Sequence, residues 1–481
     1  MNKVRLFIEN FLVYGLGGII SRIIPIIMVP IVTRLMPNTT YYGLSDLSNT
    51  LVQFATAIAV LGLYDAMYRM FFENEEYEYK KMVCSTAFYT TLVMSILVFV
   101  LLIAFKNVIS AIFFANTYGD ILVYLSAIAM VIGSTNTIIA APTRMQNKRK
   151  TYLITNTLSA LISYGLAIPL LLKGYYVVAL PISAIISALT LETVFFALNK
   201  NWFSLKMFDL NVLKQLLVIG IPLMPNLLIY WVFNSCDKIM ITNMIGVDAA
   251  GIYSVASKLG HTSQLIYTAF AGGWQFFAFS TMKEKNQVTS NSKIFEYMGG
   301  ITFAVTSIVC ASSYMIFYIL FTGDYASGYI SAPYLFFAPL LQMLFQIIAN
   351  QFLVVKKTWP SMLILGFGVI VNLFANRILI PILGIEGASI STLLGYVCSI
   401  IICSVVLVCM KQLVLSCRFI IISCLIVIYF MVWRLFLSKS ILLALGIAIV
   451  FIVVEILLYK KDIQALLSAV KKHSKFNEPS A

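Results

Sequence analysis

Fourteen apolar blocks, most of them 20 residues or longer, divide this chain and are joined by short polar connections. A block of ~20 apolar residues, rising ~1.5 Å per residue, spans the ~30 Å hydrocarbon core of a bilayer. Lipid offers no partner to a backbone amide, so each block has to close its own hydrogen-bond ladder as an α-helix. The expected fold class is an all-α polytopic membrane protein with 14 transmembrane helices. Composition points the same way. Charged residues make up 11% of the chain, against ~25% in soluble domains. No polar stretch is long enough for a soluble catalytic domain, which argues against an enzyme. The longest are Thr281 to Lys293 and the tail after Tyr459. The first block is longer than a signal-peptide core and is read as a retained helix.

The net charge of +14 would suggest nucleic acid in a soluble protein. Here most lysines and arginines fall in alternate connections, from Lys3 and Arg5 through Arg144, Lys148 and Lys150 to the tail. The positive-inside rule places those connections, and both termini, in the cytosol. No nucleic-acid partner is expected. Eight scattered cysteines without a C-x-x-C pair, and only two histidines, give no pattern for a metal or another cofactor.

The block from Phe11 to Met36, FLVYGLGGIISRIIPIIMVPIVTRLM, is unusual. Arg22 lies ~17 Å into it, near the bilayer midplane. A cation there has to face protein or water. Pro25 and Pro30 follow and are expected to bend the helix, as are Pro222 and Pro225 in the seventh block. These four prolines are candidate hinges.

An internal repeat is visible. YGLSDLSNTL (Tyr42–Leu51) follows the first block, and AGIYSVASKL (Ala250–Leu259) follows the seventh. A second echo links Ile168, Pro169 and Gly174 to Ile380, Pro381 and Gly384. A period of six helices is even, so both copies keep one orientation, as parallel repeats do in transporters. The expected organisation is a six-helix lobe at 1–200, a second six-helix lobe at 201–412 and a central cavity between them. An additional helix pair at 413–459 and a basic cytosolic tail at 460–481 complete it.

These stretches carry a resemblance. The segments GLGGIISRIIPIIMVPIVTRLMP with YYGLSDL, SCDKIMITNMIGVDAAGIYSVASKL and NLFANRILIPILGIEGASIST are similar to polysaccharide-transporter (Wzx-type) flippases of the MOP exporter superfamily. The resemblance covers about residues 5–410. It implies alternating access in a bacterial cytoplasmic (inner) membrane. The implied cargo is an undecaprenyl-diphosphate-linked oligosaccharide, such as an O-antigen or capsule repeat unit. By analogy an ion gradient supplies the energy, and membrane lipid and polysaccharide polymerase machinery are partners.

The charges inside the blocks are the candidate site residues. Arg22 is expected to bind an anionic head group, with a structural or snorkelling role as the alternative. Lys258 is expected in the second lobe, with His261 three residues on and on the same helix face. Arg377 would add to a cationic cavity or anchor at the interface. Asp237 would pair with a cavity cation, carry a coupling ion, or form a local ion pair with Lys238 at a gate. Asp65 and Arg69, four apart, favour an intrahelical salt bridge or gate pair. Glu192, Glu296 and Glu455 are read as interfacial. A cationic interior fits a diphosphate head group. A multidrug or cation antiporter of the same superfamily would place acids there. A membrane glycan polymerase would need a longer outer loop or carboxylates for sugar chemistry.

Overall fold

The computed structural model describes residues 23–464 apart from Thr358. Arg22 and most of the basic tail lie outside the described residues. No strand occurs among the described residues. The described residues begin with α1 (Ile23–Leu35). It continues through α2 (Thr39–Val60), α3 (Leu63–Phe71), α4 (Tyr77–Ala104), α5 (Lys106–Phe114), α6 (Gly119–Ile139), α7 (Ala141–Met145), α8 (Arg149–Leu172) and α9 (Ala179–Asn199). A linker then leads to α10 (Leu210–Gly220), α11 (Met224–Met244), α12 (Val247–Gly260), α13 (Gln264–Ser280), α14 (Gln287–Leu320), α15 (Ala332–Val354), α16 (Trp359–Leu383) and α17 (Ile385–Cys409). The last pair is α18 (Cys417–Val432) and α19 (Ile441–Leu458).

Eleven spans among the described residues are long and apolar enough to cross a membrane, and twelve if the bent pair α2–α3 counts as one. The chain is an all-α polytopic membrane protein, but fourteen crossings are not established by this measure. The described part of the first block is the short helix α1. The eighth block divides into α12 and α13 at a 3-10 turn over His261–Ser263.

Breaks follow local chemistry. Between α10 and α11 a 3-10 turn, Ile221–Leu223, holds Pro222, and Pro225 sits in the first turn of α11. The first-block prolines behave differently: α1 runs through Pro25 and Pro30 without a break. The 48° bend between α2 and α3 had no proline to announce it. It is made by Leu61 and Gly62, both in the left-handed region at φ 52° and 68°. The second echoed motif ends two helices alike. Pro169 lies in α8 and Pro381 in α16, and Gly174 and Gly384 follow at φ 86° and 62°, where L side chains are strained.

Helices α2, α4, α6 and α9 pack on one another, with α8 against α9. A second group unites α11, α12, α15, α16 and α17. Helix α15 is mostly apolar and almost wholly buried, its Gln342 and Gln351 included, as a central helix should be. Helices α18 and α19 pack against α14. Polar contacts tie them down at both ends. Arg434 pairs with Glu386 at 2.5 Å, and Tyr334 donates to the same carboxylate. At the other end Glu296 accepts from the Ser416 amide and hydroxyl, both at 2.8 Å, while Arg418 pairs with Asp462 at 2.6 Å. That guanidinium holds the Asp462 carboxyl below its ordinary value. Glu296 is therefore buried in a helix junction at the end of α18. Glu455 packs against Gly300, and Glu192 accepts from Thr135.

Candidate functional site

The two copies of the repeated motif meet. Helices α2 and α12 cross with Gly43 against Gly251. A Cβ on Gly43 would lie 2.7 Å from the Val247 carbonyl oxygen, and one on Gly251 would overlap the Thr39 carbonyl. Glycine here lets two backbones touch, as small residues do between membrane helices. Asp248 accepts from Thr39 and Thr40 across the same junction. Tyr325 donates to the Asn38 carbonyl, and Arg34 reaches the Ile319 and Leu320 carbonyls.

One helical turn beyond Gly43, Asp46 is buried on α2. Lys238 of α11 approaches its Oδ2 at 2.6 Å, and Lys258 of α12 its Oδ1 at 3.7 Å. The lysines are not equivalent. Lys238 is 11% exposed, whereas Lys258 is 41% exposed and lines an open cleft. Two cations share one carboxylate, so the cluster carries a net positive charge on the cleft side. The cleft, about 350 Å³, is bounded by residues of α1, α2, α6, α8 and α9, among them Val29, Asn49, Leu125, Ser163 and Tyr164. It continues into a space of about 610 Å³ that shares Ser163, Tyr164, Ala184 and Ala188. Both volumes fall in the ~300–1,000 Å³ range of small-molecule sites.

Asp237 turns the other way. Thr392 and Tyr253 donate to its Oδ2, and Asn376 and Asn372 donate to its Oδ1, at 2.5, 2.7, 2.6 and 3.4 Å. No lysine or arginine among the described residues is within ion-pair distance of it. The expected pairing with Lys238 or a cavity cation is therefore not formed. Neighbours in sequence point ~100° apart on a helix, so Lys238 faces α2 while Asp237 faces α16 and α17. His261 also departs from expectation. Its Nδ1 donates to the Ser257 carbonyl at 2.8 Å, and its ring lines a small space of about 10 Å³ with Asp237, Tyr253 and Thr392. Lys258 lines the large cleft instead, because α12 ends at Gly260 and a 3-10 turn redirects the next residues.

Two further expectations are corrected. Arg377 is exposed on α16, beside Phe374 and Ile378, which are 67% and 61% exposed. That is the lipid-facing side, so Arg377 does not join the cleft. Arg69 pairs with Glu73 at 3.6 Å rather than with Asp65. It stands in the last turn of α3 and reaches forward into the loop, while Asp65 is exposed in the first turn. Arg22, the sharpest candidate in the sequence, lies outside the described residues. Asp46 was missed. Its signal was an acid inside an apolar block, within the repeated motif itself.

Residues 7–283 match the family described as polysaccharide biosynthesis protein. The chain belongs to that family. No curated protein matches it in sequence. Among solved structures, this polysaccharide biosynthesis family member is similar to the lipid II flippase MurJ in an inward closed conformation. The TM-score is 0.69 at 15% identity, covering 94% of this chain and 99% of that one. An inward-facing multidrug resistance MATE family transporter of the MOP superfamily gives 0.57 at 15% identity, covering 80% and 96%. The outward-facing form of such a transporter gives 0.55 at 13% identity, covering 82% and 93%. At such identities the likeness is one of fold. The chain is a multi-pass membrane protein with the MOP-superfamily fold, and the resemblance read from its sequence agrees with both findings.

Proposed function

We propose that the protein is a flippase that moves an undecaprenyl-diphosphate-linked oligosaccharide, an O-antigen or capsule repeat unit, across a bacterial cytoplasmic membrane by alternating access. The observation that carries this reading is the surplus cation. Asp46 is satisfied by buried Lys238, which leaves Lys258 half-open to the cleft. A diphosphate is the natural ligand for a cation held in a site of reduced dielectric. A cationic drug would need an unpaired acid there, and Asp46 already faces two lysines. Family membership and the likeness to a lipid II flippase support the lipid-linked class. The lobes at 1–200 and 201–412 would rock against each other, with the break at Pro222 and Pro225 as the hinge and Pro25 and Pro30, in the unbroken α1, outside it. Asp65 and Arg69 would serve at most in an exposed gate.

Asp237 is the candidate for ion coupling. It is a buried carboxylate with neutral donors, beside a space of about 10 Å³, near the lower limit of ~10–15 Å³ for one water-sized occupant. In this reading Asp237→Asn makes transport independent of the ion gradient or abolishes it.

The test is deletion of the gene followed by chemical identification of lipid-linked glycan on the cytosolic side. A flippase deletion accumulates such a lipid, and Lys258→Ala at unchanged protein level lowers surface polysaccharide about ten-fold, the effect of ~1.4 kcal/mol lost in binding. Absence of any accumulating lipid would count decisively against the proposal.

A further inference from the structure

The cleft has an uncharged region that the diphosphate reading leaves unused. We propose that the wall built by α6, α8 and α9 is a sugar-hydroxyl subsite. It holds the glycan of the cargo while Lys258 holds the diphosphate, and it therefore rests on the flippase reading. The larger space, about 610 Å³, is lined by Asn136, Tyr152, Asn156, Ser159, Ser163 and Tyr164, and among the described residues by no charged side chain. Tyr164 and Ser163 also line the space under Lys258, so the two are continuous. Along α6 the joint lining runs from Leu125 to Asn136, a rise of ~17 Å. The far end is beyond direct contact with Lys258 yet open to the same ligand.

Polar side chains decide what this space accepts. The Asn136 Oδ1 is buried and has no hydrogen-bond partner. An acceptor left so costs ~1–3 kcal/mol, and turning the amide toward the space to meet a ligand hydroxyl would relieve that cost. Asn156 donates its amide to the Tyr152 carbonyl at 2.7 Å, which commits one donor and leaves the side-chain oxygen as an acceptor. Ser159 and Ser187 bond each other at 2.8 Å and form the polar floor between α8 and α9. A lipid tail would desolvate these amides without replacing their bonds. No lysine or arginine among the described residues lines this space, and the Arg144 guanidinium is stacked 5.3 Å from the centroid of the Tyr152 ring on its wall. A glycan offers vicinal hydroxyls for the amide forks and C–H faces for the Tyr164 ring.

The experiment uses the purified full-length protein and two ligands. One is undecaprenyl diphosphate, and the other is the glycan-bearing form isolated from the deletion strain. The expected result for Asn136→Leu combined with Asn156→Leu is unchanged affinity for the bare carrier and about ten-fold weaker binding of the glycan-bearing lipid. Normal binding of the bare carrier shows that the variant is folded. Lys258→Ala weakens both ligands. Equal losses on both ligands for the double asparagine variant, or no loss on either, would overturn the subsite. Wild-type protein that binds both lipids equally would also overturn it and leave the flippase reading intact. Wild-type protein that binds neither would overturn both.

Discussion

Asp46 and its two lysines give residue-scale predictions that separate the buried pair from the exposed cation. Removing the acid leaves Lys238 buried without a partner, which costs ~3–5 kcal/mol in soluble proteins. Asp46→Ala should therefore lower thermal stability in detergent sharply, and Asp46→Leu combined with Lys238→Met should recover it. Lys258 is more exposed and farther from the acid, so Lys258→Ala should keep a melting temperature near that of the parent and lose transport. Equal destabilisation by Lys258→Ala would make it a structural residue. The sequence showed that cations stand inside the membrane but not which way they face. In lipid both faces of a helix are apolar, so the periodicity that separates core from surface is weak. Arg377 illustrates this: its lipid-side neighbours Phe374 and Ile378 would suit a core equally well. Lys258 and Asp237 were legible as charges in apolar blocks. The partner of Lys258, Asp46, lies far away in sequence, and no local pattern connects them.

Among the elements, the α2–α12 crossing is the tightest constraint. A side chain on Gly43 has no room against Val247, so Gly43→Leu should push the crossing apart and abolish transport. Gly165 on α8 meets nothing within 4 Å, so Gly165→Ala should keep full activity in the same surface-polysaccharide assay. The repeat that the sequence displayed turns out to mark this crossing. The two glycines echo each other because each supplies half of one backbone contact. Helix existence was legible for most blocks, since ~20 apolar residues leave no other solution. Helix breaks were legible only at Pro222 and Pro225. The α2–α3 bend depends on left-handed Leu61, and the turn after Gly260 places His261 beside Asp237; neither leaves a proline in the sequence.

At the scale of the molecule, the first and second halves of the chain touch at two glycine contacts. Gly43 meets Gly251 where α2 crosses α12, and Gly62 meets Gly220 where α3 and α10 pack. Alternating access requires these contacts to open in turn. In a background with the eight free cysteines replaced, cysteines at Thr40 and Asp248 should cross-link α2 to α12, stop transport, and release it on reduction. Undiminished transport in the linked protein would show that this junction never opens. Carriage of a lipid-linked oligosaccharide across the bilayer is measurable in liposomes. Purified protein is reconstituted with the glycan-bearing lipid, and a membrane-impermeant lectin reports how much glycan reaches the outer leaflet. The inner pool should become accessible with the parent protein and stay protected with Lys258→Ala. Accessibility equal to that of protein-free liposomes would contradict such carriage.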